Sequence, residues 1–256
     1  MDSIVALLYI VLGLVVGILI GLTGMGGGAI MTPILIFLGV DPVVAVGTDL
    51  LYSTITKLFG SALFYSRHEI NMRLAMLLYL GSLPAIVLGG LALHFLKSNG
   101  ISIDFFVSIA LGVVLIVVSL ITILGNHLYR KHAERKITFL KTLIIGFIVG
   151  FTVQFTSVGS GTLVVFFLLV FTNLSPHNIV GTTMPYSFLL TSSSTLVHST
   201  LGTINFILAS LLILGTLPGT FIGFKLNSKV PRKPLKTLLS LIVLLSGLFI
   251  LLSSFS

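Results

Sequence analysis

The sequence predicts an all-α polytopic membrane protein made of two inverted-topology repeats, each a broken-helix hairpin followed by three transmembrane helices. Three observations carry that expectation. The 256 residues are 56% hydrophobic and only 8% charged, where a soluble domain carries about 25% charged residues, and the mean hydropathy is +1.20. Long apolar runs recur along the whole chain. Their order, with its Gly, Pro and Tyr punctuation, occurs twice, Gly13 returning as Gly146 and Tyr52 as Tyr186.

The net charge of +8 does not mark a nucleic-acid partner, because apolar runs split the basic residues into short clusters that form no continuous basic face. The absence of cysteine excludes a disulfide scaffold, a thiol relay, an iron-sulfur site and Cys-ligated zinc.

A spanning helix needs about 20 apolar residues. Residues 4–22 form the first run. A signal peptide also opens on such a run, but Asp2 is the only charge before it and more membrane-like sequence follows, so it is read as part of the mature protein. Residues 29–40 are too short to cross alone and follow Thr23-Gly24-Met25-Gly26-Gly27-Gly28. A helix that unwinds at these glycines and restarts explains both facts. Unwound backbone at membrane depth is tolerated only where protein or a water-filled cavity covers it, so the break itself predicts a cavity. Residues 43–65, 72–95 and 105–124 are then three full spans. The second half repeats the series as 139–155, 162–171, 179–198, 206–224 and 235–252, with its own Gly- and Ser-rich break before residue 162. The expected division is a first repeat at 1–125, a basic linker at 126–136 holding Arg130, Lys131, Arg135 and Lys136, and a second repeat at 137–256.

The repeat is carried by residues that answer to backbone geometry. Gly13, Gly17, Thr23, Gly26 and Gly28 match Gly146, Gly150, Thr156, Gly159 and Gly161; after one extra residue, Pro42, Gly47, Thr48, Tyr52 and Ser53 match Pro176, Gly181, Thr182, Tyr186 and Ser187. Ile70-Asn71 then falls on Ile204-Asn205, and Gly81, Pro84 and Gly89 on Gly215, Pro218 and Gly223. Equivalent loops differ in charge: Arg67 and Arg73 stand where the second half has none, and Lys225, Lys229, Arg232, Lys233 and Lys236 stand opposite only Lys97 and Asp104. Cytoplasmic loops collect Lys and Arg, so equivalent loops are expected on opposite faces, with the linker inside and both termini outside. That is the inverted repeat of many secondary transporters.

A helix restarting inside a membrane presents free N–H groups and the positive end of its dipole, which favours an anion. The candidate cradle comprises Thr23, Gly26, Gly27 and Gly28, with Thr156, Ser157, Gly159, Ser160 and Gly161 in the second half; the bland alternative is that these small residues only let helices pack. Thr48 and Tyr52 share one helix face, as do Thr182 and Tyr186, and with Ser53 and Ser187 they line a path or bond neighbouring backbone. Asp49 and Lys57 are the strong charges well inside segments and are functional suspects by cost alone; about 12 Å apart along a helix, they do not make a simple pair. Asp49 is a candidate for a coupling proton and Lys57 for attracting the anion or snorkelling inward. His198 reads as a satisfied histidine at the outer end of its segment. Pro84 and Pro218 are expected to kink their segments. No metal-ligand spacing and no hydrolytic triad is present, so neither cofactor, metal nor enzymatic activity is expected.

Gly21-Leu22-Thr23-Gly24-Met25-Gly26-Gly27-Gly28, Pro33 and Ala45-Val46-Gly47-Thr48-Asp49-Leu50 resemble the TauE/SafE sulfite exporter family, also called the 4-toluene sulfonate uptake permease family. The resemblance covers nearly the whole chain, with a degenerate second motif that has Gln154 in place of Gly21 and Ser160 in place of Gly27. It implies movement, mostly export, of sulfite or small organosulfonates across the bacterial plasma membrane, with a proton as the coupling ion. The function expected is therefore alternating-access transport of a small sulfur-containing anion, with the lipid bilayer as surroundings. A passive anion channel and a non-transporting membrane scaffold are the alternatives.

Overall fold

The computed structural model describes residues 3–23, 28–65, 71–128, 137–226 and 232–255. Among these residues there are ten α-helices and no strands: α1 (Ser3–Thr23), α2 (Gly28–Phe37), α3 (Pro42–Tyr65), α4 (Met72–Ser98), α5 (Ile103–Leu128), α6 (Phe139–Thr156), α7 (Thr162–Phe171), α8 (Pro176–Leu201), α9 (Phe206–Leu226) and α10 (Arg232–Ser253). The two short apolar runs are separate helices of 10 residues each. At about 1.5 Å per residue each covers about half of a hydrocarbon core. Five helices, α1, α4, α5, α6 and α9, are long and apolar enough to cross a bilayer by length and composition. Pro84 and Pro218 sit inside α4 and α9, which continue through them.

The boundaries follow from local chemistry. Asn71 caps α4 by accepting Leu74 N–H at 3.1 Å, and its repeat partner Asn205 accepts Leu208 N–H at 3.0 Å before α9. Ser175 accepts Asn178 N–H at 3.2 Å with Pro176 opening α8, the favoured first position for a residue without a donor. Val43 N–H, an orphan donor in the first turn of α3, donates to Asp104 Oδ1 at 2.9 Å. Gly202 ends α8 at φ 69, the left-handed conformation that only glycine adopts cheaply.

Packing pairs the halves reciprocally. The helix that opens each half lies against the fourth of the other, α1 on α9 and α4 on α6, while α3 packs on α8 and α5 on α10. Small residues make the approach possible: Gly13 faces the backbone of Leu212 and Gly215 that of Ile10, and likewise Gly146 faces Leu78 and Gly81 faces Leu143. Asn71 N–H donates to Thr182 Oγ1 at 3.0 Å, and Asn205 N–H donates to Thr48 Oγ1 at 3.1 Å, one contact made twice with the halves exchanged. Large apolar side chains such as Leu7, Leu91, Leu196 and Leu245 point outward, whereas Thr48, Asp49, Ser187, Thr191 and His198 are buried. This distribution suits a chain solvated by hydrocarbon, and α3 and α8 form its polar centre.

Candidate functional site

The two helix interruptions meet at the centre. Gly28 opens α2, and a Cβ placed on it would stand 2.6 Å from the carbonyl oxygen of Ser157 and 2.8 Å from Asp49 Oδ2. No residue larger than glycine fits there without parting the two halves. Ser157 closes α6 in the left-handed region at φ 59, its N–H donating to Val153 O at 2.8 Å. Thr156 accepts Val158 N–H at 3.1 Å and donates to Thr152 O at 2.7 Å, so its hydroxyl holds the turn. Gly159 continues the turn at φ 106, and α7 restarts after Gly161 with no side chain capping its N-terminus.

The charges of α3 divide between the interruptions. Asp49 is fully buried and accepts the Thr32 hydroxyl at 3.0 Å, which puts a carboxylate beside the N-terminal turn of α2, where negative charge is favoured. Lys57, 6% exposed, donates to Ser160 Oγ at 2.8 Å. Ser187 donates to the Ser160 carbonyl at 2.6 Å. A first-half cation therefore stands at the second-half break, and Asp49 and Lys57 bond to different partners. Where the first half has Asp49 the second has Thr183, whose hydroxyl donates to Val180 O at 2.8 Å. The chain thus supplies its own anion to the start of α2 and none to the start of α7.

Several buried polar atoms have no hydrogen-bond partner among the described residues: Asp49 Oδ1, Tyr52 OH, Ser53 Oγ, Ser157 Oγ and both amide atoms of Gln154. Buried polar groups are ordinarily paired, at a cost of about 1–3 kcal/mol when they are not. Ser61 Oγ, Ser194 Oγ and Thr220 Oγ1 are unpaired as well, so such atoms are spread over the polar interior and include Asp49 and Ser157 at the breaks. A cavity of about 30 Å³ adjoins both restarts, lined by Ala29 and its repeat partner Thr162, by Ser119 and Thr122 of α5, and by Ser240 of α10. It has room for about one or two water molecules.

The remaining candidates distribute as follows. Thr48 and Thr182 bond the N–H groups of Asn205 and Asn71, so they brace one half on the other. Tyr186 shares a 2.9 Å hydrogen bond with Ser82, whereas Tyr52 has no such partner. Thr23 ends α1; Gly26 and Gly27 lie outside the described residues. Sequence reasoning missed Thr32, Ser82, and Gln154 as a polar group at the break. Thr32 had a signal, since it stands four residues after Gly28 and hence on the same helix face. The matched Asn71 and Asn205 marked the repeat, but nothing in their pattern named Thr182 and Thr48 as their partners.

A multi-pass membrane protein whose buried charges meet interrupted helices belongs to the general class of membrane transporters, in which broken helices carry the site. The family described as Sulfite exporter TauE/SafE matches residues 9–250, and the chain belongs to it. It is 37% identical over 246 residues to the Bacillus subtilis (strain 168) protein named "Probable membrane transporter protein YjnA", covering 93% of this chain and 97% of the relative. It is 26% identical over 265 residues to "Probable membrane transporter protein YunE" of the same organism, 94% and 95% of the two chains. It is 25% identical over 267 residues to "Probable membrane transporter protein MJ0441" of Methanocaldococcus jannaschii, 96% and 95%. No solved structure matches the chain. Family and relatives are thus described as transporters rather than enzymes.

Proposed function

We propose that the protein exports sulfite or a small organosulfonate across the bacterial plasma membrane by ion-coupled alternating access, and that the anion binds at the second break. The observation that carries this reading is the Lys57 ammonium held 2.8 Å from Ser160 Oγ beside the uncapped start of α7. An oxyanion there accepts from Lys57, from the Ser160 hydroxyl and from the first turn of α7, in which Leu163 N–H is already bonded to Gly159 O at 3.1 Å; this combines a buried cation with a helix N-terminus. Ser157 and Ser187 complete the wall, and Tyr52 and Tyr186 lie along the path. The matching start at Gly28 is filled by Asp49, the chain's own carboxylate.

The reciprocal contacts of α1 with α9 and α4 with α6 support two repeats of opposite orientation, 1–125 and 137–256, and the basic linker at 126–136 supports a cytoplasmic seam with both termini outside. Coupling to a proton fits a buried site that holds both signs of charge. Flux of sulfite, sulfoacetate and taurine into liposomes tests the reading: saturable flux of one of them is expected, and equal flux with and without protein for all of them defeats it. Flux that never saturates points to a channel instead.

A further inference from the structure

We propose that His198 is a proton-binding site coupled to anion occupancy of the second break; this rests on the placement of the anion beside Lys57 and Ser160. His198 is fully buried. Its Nε2 lies 3.0 Å from the Gln154 carbonyl and its Nδ1 2.8 Å from Thr203 Oγ1. Gln154 stands in the last turn of α6, where carbonyls have no intrahelical donor. His198 therefore caps the C-terminal end of the helix that breaks, and through it fixes the turn leading to Ser157 and Ser160.

Donor counting shows how this ring can take up a proton with its hydrogen bonds kept. A carbonyl only accepts, so Nε2 carries a hydrogen. Thr203 Oγ1 stands within bonding distance of two acceptors, Nδ1 and, at 3.1 Å, the His198 carbonyl, and its single hydrogen serves one of them. When it points at Nδ1 the ring is neutral. When it points at the carbonyl, Nδ1–H donates to the hydroxyl and the ring is a cation. The heavy atoms are the same in both states, so a proton adds at Nδ1 as the hydroxyl turns. A cation at a helix C-terminus is also the favoured charge. Thr203 lines a surface pocket of about 400 Å³ with Val44, Gly202 and Asn205, which gives the proton an entrance. The repeat equivalent of His198 is Phe64, so the device belongs to one half only.

The helices packed on α8 are α3, α4, α6 and α7. From α3 the charged groups are Asp49 and Lys57, and Gly47 of this helix faces Thr203 directly. From α4 they are Lys97, which donates to the Leu201 carbonyl, the exposed His94, and Arg73 at the opposite end. Lys141 lies at the far end of α6, and α7 has no titratable side chain. Asp104 of α5 is engaged with Val43. Asp49 is thus the one rival proton acceptor of the centre, and the test separates the two.

The full chain in nanodiscs is titrated with methanesulfonate, whose charge is constant between about pH 5.5 and pH 8.5, the range in which histidine charges. One positive charge about 16 Å from the anion, the rise along α8 from Ser187 at the break to His198, at an effective dielectric near 20, tightens binding by roughly fivefold at the acid end. His198→Gln should bind with an affinity that changes less than about twofold across the same range. Thr203→Val, which leaves Nδ1–H without an acceptor, should weaken the acid-side gain. Nitrogen-15 histidine NMR of the wild type should show His198 neutral at the alkaline end and doubly protonated at the acid end, a readout that a purely structural histidine does not move and that needs no variant. A full pH response retained in His198→Gln and lost in Asp49→Asn overturns the assignment while leaving the anion site intact. A ring that stays neutral at the acid end overturns it as well. Absence of anion binding at every pH, with His198 still titrating, defeats the anion-site reading and the coupling together.

Discussion

Replacing Lys57 with Met separates a cation that binds substrate from one that merely sits in the core. Met has similar length and no charge. Lys57 is 6% exposed, and its ammonium donates a 2.8 Å hydrogen bond to Ser160 Oγ. An oxyanion at the same break places opposite unit charges about 4 Å apart; at an effective dielectric of about 20 that is worth about 4 kcal/mol, close to a thousandfold in affinity. The same substitution removes the cost of burying an ammonium but leaves the buried Asp49 without its counter-charge, so the affinity loss is read against the thermal stability of the same anion-free samples. Anion-dependent thermal shifts and sulfite flux in proteoliposomes measure both. Lys97→Met is the control, because that cation bonds the Leu201 carbonyl at the end of α8, away from Ser160. Affinity of Lys57→Met within about threefold of wild type, or a loss that tracks unfolding, refutes the placement of the anion.

Gly28→Ala should abolish flux and lower thermal stability by about 1–3 kcal/mol, because the added methyl meets Ser157 O at 2.6 Å and Asp49 Oδ2 at 2.8 Å. Gly39→Ala, at φ 84 with open space around it, should cost only about 1–2 kcal/mol of backbone strain and leave flux intact; comparison of flux at matched stability checks the pair. Calorimetry should find one anion bound per wild-type chain. Asp49→Asn removes a buried negative charge near that anion, so its affinity should rise while the stoichiometry stays at one; a second bound anion would refute the packing at Gly28, where one added carbon already meets Ser157 and Asp49. Because the chain has no cysteine, single cysteines report topology cleanly. Ser66→Cys and its repeat equivalent Thr200→Cys should react with an impermeant maleimide from opposite faces, and reaction from one face refutes the inverted repeat.

Apolar runs and glycine punctuation made the helices legible, because hydrocarbon allows only helices that satisfy their own backbone and because close helix approach needs small residues at fixed points. The ten elements appear in the expected order, with ends shifted by a few residues where caps decide: Asn71 and Ser175 stop the chain from continuing the helix that composition alone would extend. Gly28, Ser157, Ser160, Asp49, Lys57 and Ser187 were all singled out and stand together at the centre. Their pairing was not legible. Nothing in a one-dimensional pattern says that Lys57 reaches across to Ser160, because that contact depends on how α3 packs against the other half. His198 reads from the sequence as a satisfied histidine and both its ring nitrogens are partnered, but the same limit hid the partners, Gln154 at the end of α6 and Thr203 in the loop after α8.

The contacts that brace the halves come in exchanged pairs, Asn71 with Thr182 and Asn205 with Thr48, whereas the charged and titratable groups do not: Asp49, Lys57 and His198 correspond in the repeat alignment to Thr183, Thr191 and Phe64. A symmetric frame suits alternating access, since the two access states are then related by exchanging the conformations of equivalent elements. Symmetric chemistry would not suit it, because two equal helix starts would draw two like charges into one small space, at a cost of several kcal/mol at low dielectric. Placing a carboxylate at one start and an ammonium at the other gives a centre of nearly neutral charge that, on the function proposed above, takes a single anion. On that reading the departure from symmetry sets the number and sign of what is carried, while the symmetry sets how it moves.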